Sequence, residues 1–267
     1  MNSYGKFITT IFLTTLGVFG YSQINGVLWI PEGSTTNVIE NVIQVTPPAG
    51  FVYVGLTSNG RVSSATGQVS VSCDCTSASG GCKPYIASGP GGASTSGCNF
   101  ENGCTNCTGS TTANNRSLSF EKGGFINTKV GVNLLKQYAE LPSFFGEMLD
   151  FQSVNSSLSS FFSNVYKGVA PPEAIKISNS EYQAPDGYVF VAVNIMGRGA
   201  LIILSEETAK SMNISNSSKK YSCSCTQGSC SVTSNGAFGY KIYSCEGNCS
   251  GTCSLNSPSS STRQYQY

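Results

Sequence analysis

Short runs of β-branched and aromatic residues, closed by Gly, Pro or Asn, fill both ends of the chain, and a helical period fills its middle. Gly26 to Ile30 and Asn37 to Val45 are apolar and bounded by Pro31-Glu32-Gly33 and Pro47-Pro48, which predicts strands. Phe51 to Leu56 continues the pattern up to Asn59-Gly60, a hairpin signal because both residues tolerate positive φ. Gln68 to Cys73 then alternates and is expected to carry the return strand into a first group of cysteines. In the middle, Val130, Leu134, Leu135, Tyr138 and Leu141 recur at helical spacing. Phe144, Phe145, Met148, Leu149, Val154, Leu158, Phe161, Phe162 and Val165 extend that spacing until Gly168 and Pro171-Pro172 stop it. These aromatic helices are expected to pack on the sheets. A membrane-surface helix would carry a basic polar face, and here that face is mostly Ser and Asn.

The second half replays the first. Pro48, Gly50, Val52, Val54, Gly60 and Arg61 recur without a gap as Pro185, Gly187, Val189, Val191, Gly197 and Arg198. Leu204 to Met212 reads as a short helix capped by Ser205, with Glu206 and Glu207 at the positive end of its dipole.

The cysteines follow the same duplication. Cys73, Cys75, Cys82, Cys98, Cys104 and Cys107 are spaced C-x-C-x6-C-x15-C-x5-C-x2-C. Cys223, Cys225, Cys230, Cys245, Cys249 and Cys253 are spaced C-x-C-x4-C-x14-C-x3-C-x3-C. Together they are all 12 in the chain. From Cys73 to about Ser117 the chain is Gly, Ser, Thr and Asn, too poor in apolar area to order itself without crosslinks. Two chemistries compete for such pairs: a disulfide framework, and a thiolate site for zinc, copper(I) or an iron–sulfur cluster. The spacing drifts between the two copies, which disulfides between separate segments tolerate and a local metal knuckle does not. With no histidine in the chain, the commonest auxiliary ligand is missing as well. Disulfides without a cofactor are the expectation. One pairing scheme used twice is implied, and the spacing leaves the scheme open.

The N-terminus places this chemistry outside the cytoplasm. Lys6, an apolar stretch from Phe7 to Gly20, and small residues at Gly20 and Ser22 before Gln23 read as an export leader. With a mature chain rich in Ser, Asn and Gly, it looks like the leader of an exported bacterial protein. Removal of the leader leaves no later segment apolar enough to span a bilayer. Fifteen basic and fourteen acidic residues leave no basic surplus for nucleic acid.

The expected architecture is α+β. Residues 1–22 form the leader, 23–120 a first small β-unit with a disulfide-braced, loop-rich cysteine block, and 121–172 a helical middle. Residues 173–254 form a related β-unit with its own block, and 255–267 a disordered tail. The absence of histidine removes Ser-His-Asp and Cys-His catalysis. The expected function is non-enzymatic: a secreted or periplasmic structural or surface-recognition protein, partnered by some cell-surface or extracellular component. Arg61 and Arg198, each after a turn glycine, are candidate contact residues, although solvent-facing strand charge is the simpler reading. Tyr85, Phe100, Phe238, Tyr240 and Tyr243 are candidate contact aromatics that packing against a disulfide would equally explain. Two alternatives stand beside this reading. One is a thiolate metal or electron-transfer protein; the other is an exported hydrolase using Glu140, Glu147 and Asp150 as carboxylates.

Overall fold

A computed structural model describes residues 28–77, 79–88, 93–136, 141–225, 228–249 and 254–256. The leader assigned to residues 1–22 lies outside them. Strands make up 55% of the described residues and helices 12%. This overturns the α+β expectation with its helical centre: the protein is a mostly-β molecule of four sheets, with two α-helices and a short 3-10 turn among the described residues.

The first half is a pair of facing sheets. β1 (Leu28–Ile30), β8 (Ser94–Glu101) and β7 (Gly81–Ser88) form a three-stranded sheet. Opposite it, β2 (Thr35–Ile39), β3 (Val42–Thr46), β6 (Val69–Cys75), β9 (Cys107–Ala113), β10 (Arg116–Asn127), β4 (Phe51–Thr57) and β5 (Val62–Ala65) hydrogen-bond in that order. The single strand expected over Asn37 to Val45 is two, folded back at Glu40, whose φ is 51°. The hairpin at Asn59-Gly60 forms, but with a three-residue loop between paired Thr57 and Arg61, in which Gly60 takes φ 76°. Its return strand is β5; β6, expected in that role, pairs instead with β3 and β9. Leu28, Ile30, Ile43, Val45, Tyr53, Val69, Val71 and Phe125 fill the space between the sheets.

The second half is also a pair of facing sheets. β11 (Val132–Leu134), β14 (Tyr188–Ile195), β15 (Arg198–Ser205), β18 (Tyr240–Cys249) and β17 (Gly228–Ala237) form one sheet. β12 (Ile175–Lys176), β13 (Glu181–Gln183), β16 (Lys220–Ser224) and β19 (Ser254–Asn256) form the other. Leu255 and Asn256, expected in the tail, belong to β19, and residues 257–267 lie outside the described residues. The five-stranded sheet is buried on both faces, which is why β14 reads as a continuous apolar run and not as an alternation. Phe190, Ala192, Leu201 and Ile203 face the four-stranded sheet, where Tyr221, Tyr243 and Cys245 join them. Val189, Val191, Val193, Ile195, Ile202 and Leu204 face the other way, toward α1 (Gln152–Tyr166) and toward Val54 and Ile126 of the first half. One shared core therefore joins the two halves.

α1 presents Val154, Leu158, Phe161 and Phe162 to that core and closes on Lys167 and Gly168, both at positive φ. No helix runs from Val130 among the described residues, and Tyr138 of the expected run lies outside them. Val132, Asn133 and Leu134 pair with Ile195, Asn194 and Val193 of β14, so edge pairing with a buried sheet overrides the local period. Phe144 to Leu149 gives the 3-10 turn Gly146–Asp150 in place of an α-helix. The short helix α2 (Glu206–Ser211) forms as expected, its cap Ser205 accepting from the Thr208 N–H at 3.1 Å. No described helix is long and apolar enough to cross a membrane.

Burial of the tyrosines makes the fold sensitive to alkali. Tyr53 and Tyr85 are pushed up to about 12 by burial, and Tyr166, Tyr221 and Tyr243 move in the same direction for the same reason. In the unfolded chain these phenols ionise near 10, so above that pH the folded state binds more protons and stability falls as pH rises. Arg198, held down to about 10 by burial, works against this. It is one group against five. The urea midpoint is expected to drop between about pH 9 and about pH 11, with tyrosinate absorbance appearing together with unfolding. A midpoint that stays level over this range would contradict the burial of these side chains.

Candidate functional site

The described residues of the two cysteine blocks are mostly strand, and in the first block clustered cystines supply the interior that its Ser, Thr and Gly residues cannot. Cys73 on β6 is bonded to Cys98 on β8, and Cys223 on β16 to Cys245 on β18. Each bond crosses between two facing sheets, with Cα atoms 5.7 Å apart in both cases. Cys75 bonds Cys104, and Cys82 bonds Cys107. Cys225 and Cys230 are disulfide-bonded as well, and no described cysteine is free. The disulfide-rich character read from the sequence is thus present in the fold, and such bonds point to an oxidising compartment. Around the first block Cys73, Cys82, Cys98, Cys104 and Cys107 form a buried cluster, with Cys75 and Phe100 packed against it.

Strand registers in the two blocks coincide. Cys82 stands opposite Phe100, two residues beyond Cys98; Cys230 stands opposite Gly247, two residues beyond Cys245. Cys73 faces Gly109, two beyond Cys107; Cys223 faces Leu255, two beyond Cys253. The sheet order β2-β3-β6-β9 likewise corresponds to β12-β13-β16-β19.

The two arginines, equivalent in sequence, part company. Arg61 is exposed beside its hairpin loop. Arg198 is 6% exposed and sits where the halves meet, so the solvent-facing reading fails for it. Its Nε donates to the Phe125 carbonyl at 2.9 Å and its Nη1 to the Ser143 carbonyl at 3.2 Å. Its guanidinium carbon lies 5.8 Å from the Trp29 ring centroid and 5.3 Å from that of Phe145. Nη2 is buried without a partner among the described residues, and a Cβ added at Gly124 would run into it. Arg198 therefore pins β15 to β10 and to the segment before the 3-10 turn.

The candidate aromatics do not converge. Tyr243 is 2% exposed, and its hydroxyl accepts from the Ala174 N–H. Tyr240 stacks on Tyr166 with centroids 4.7 Å apart and planes 8° from parallel. Tyr85 lies over Gly97 of the neighbouring strand with its hydroxyl buried, and Phe100 packs on the cystines. Phe238, at 48%, is the exposed one.

Among the carboxylates, Glu140 lies outside the described residues. Glu147 and Asp150 line an open hollow of about 250 Å³ with Gly146, Asn235 and Glu246. Glu147 pairs with Lys122 at 3.3 Å. Burial, and then the charge of Glu147, raise the Glu246 carboxyl above the ordinary glutamate range; bonds from Thr233 and the Gly146 N–H and the charge of Lys122 offset part of this. Sequence reading passed over Glu246 because it follows Cys245, where a charge looks like loop decoration; the β18 register is what turns it toward the 3-10 turn. Comparison with family models, with curated proteins and with solved structures gave no match.

Proposed function

We propose that the protein acts outside the cytoplasm, secreted or periplasmic after loss of its leader, as a non-enzymatic structural or surface-recognition protein built by internal duplication. The observation that carries this reading is the placement of the cystines. They cross-brace facing sheets in both halves, in the first where apolar area is scarce, an arrangement that keeps a hydroxyl-rich, nearly neutral surface in fixed shape in the open. Coincident registers support the duplication. On that scheme the bonds of Cys225 and Cys230 fall to Cys249 and Cys253, following Cys75 to Cys104 and Cys82 to Cys107.

Binding tests the recognition role. Immobilised oxidised protein, set beside a reduced and alkylated control, is exposed to a glycan array and to cell-surface extracts. Retention of a surface component by the oxidised form alone is the expected result. Equal retention by both forms, or none by either, overturns the role.

A second reading rests on the hollow at the 3-10 turn. A carboxyl raised by burial next to an ion-paired carboxylate is the division of labour a glycosidase uses. Under it, the protein hydrolyses a polysaccharide and Glu246→Gln abolishes the activity. Absence of reducing-end release from a polysaccharide panel rejects it.

A further inference from the structure

Two of the three first-block cystines touch. Cys82 Sγ lies 3.4 Å from Cys104 Sγ, and Cys104 Sγ lies 3.9 Å from Cys107 Sγ. The sulfurs of Cys75, Cys82 and Cys104 all lie within 4.8 Å of one another. Cys107 adjoins this trio through its bond to Cys82 and its approach to Cys104, so the sulfurs of two bonds, Cys75–Cys104 and Cys82–Cys107, are contiguous, while Cys73–Cys98 forms a separate brace. Four thiolates holding one zinc-class ion at about 2.3 Å stand about 3.8 Å apart at the corners of a tetrahedron. The Cys82–Cys104 and Cys104–Cys107 gaps, 3.4 and 3.9 Å, bracket that spacing, and Cys107 has to swing toward Cys75 to complete the set. The bonded pairs have Cα atoms 6.0 and 5.8 Å apart, so side-chain rotation suffices to open them to it.

We propose that, once these two cystines are reduced, Cys75, Cys82, Cys104 and Cys107 hold one soft d10 metal ion of the zinc class. This goes beyond the disulfide-braced reading, since it concerns a second redox state of the same sulfurs.

The steps balance with a dithiol as reductant. Cys75 is partly exposed, whereas its three companions are buried, so it is the sulfur a dithiol reaches first. Exchange there makes a mixed disulfide and releases the Cys104 thiolate, and closure of the dithiol to its cyclic disulfide frees Cys75. Cys104 then attacks Cys82 Sγ beside it, forming a Cys82–Cys104 bond and expelling the Cys107 thiolate. A second dithiol opens that bond. Two dithiols have supplied four electrons and four protons; the four thiols lose those protons as the ion binds. Among the described residues of the second block the sulfurs that gather are Cys223, Cys230 and Cys245, two of which form the cystine between the sheets, so the proposal is made for the first block.

The test uses the full mature chain, reduced with a water-soluble phosphine under native conditions and titrated with cobalt(II). The expected result is one equivalent bound with the visible band of a tetrahedral tetrathiolate, lost in denaturant. With cadmium(II) present, differential alkylation and peptide mass mapping should show Cys75, Cys82, Cys104 and Cys107 protected and the other cysteines unprotected. No cobalt band, or protection on a different set, overturns the proposal. The double variant Cys75→Ser with Cys104→Ser should lose the band, and Cys223→Ala with Cys245→Ala should keep it. The wild-type protection map decides the matter even if a variant does not fold.

Discussion

Replacing Cys73 and Cys98 together by alanine is expected to lower the unfolding free energy by about 3–4 kcal/mol. The bond closes a loop over a sequence separation of 25, and the chain-entropy estimate for a loop of that length gives about 3.5 kcal/mol. Both sulfurs are buried, at 6% and 3% exposure, so the truncation also leaves a small void between the sheets. Apolar packing near the bond compensates little, because β8 offers Ser, Thr, Gly and Asn around Cys98, with Phe100 its one large apolar side chain. The corresponding pair, Cys223 and Cys245, closes a separation of 22 and on entropy alone is worth almost as much. Its surroundings are richer in oil, however, with Phe190, Tyr221, Val232 and Tyr243 in the same cluster. The second half should therefore retain native near-ultraviolet signal after its bond is removed, while the first half loses protection from proteolysis. Urea unfolding of the two double variants, with limited digestion alongside, measures both effects. Equal and small losses would mean that the sheets hold without sulfur.

Arg198→Ala is expected to cost about 3 kcal/mol, because the Phe125 and Ser143 carbonyls lose their donor and the Trp29 and Phe145 rings lose what lies between them. Relief of the buried charge offsets part of a larger gross loss. Gly124→Ala is expected to cost about 2 kcal/mol on its own, since the added methyl meets a guanidinium clamped by two rings and unable to move aside. In the double variant the methyl finds the arginine gone, so the combined loss should fall short of the sum by about 2 kcal/mol. Additivity to within about 0.5 kcal/mol would remove Arg198 from its place between the halves.

How much of this could be read beforehand depended on where the ordering force lies. α1 was legible from Val154, Leu158, Phe161 and Phe162, because one face of a helix meets one core. β14 was legible as a strand because an apolar run between turn residues has few other uses. Val132 to Leu134 was misread because its spacing fits a helix and its conformation is set by β14, a partner about 60 residues away. The cysteine blocks were misread as loops for a related reason: β7, β8 and β9 carry almost no apolar signal, and the sulfurs that order them register in a sequence as crosslinks and not as strands. Arg61 and Arg198 occupy equivalent places in two similar segments. No local feature announces that one faces water and the other is enclosed by Gly124, Trp29 and Phe145.

Covalent sulfur bonds stand at the centre of the account, and a peptide map of the unreduced mature protein tests them most directly. Unfolded in denaturant with an alkylating reagent and no reductant, the protein should take up label on none of its 12 cysteines. Digestion should then release Cys73 joined to Cys98, Cys75 to Cys104, Cys82 to Cys107 and Cys223 to Cys245. Twelve labelled thiols, or these cysteines found in other pairs, would contradict it.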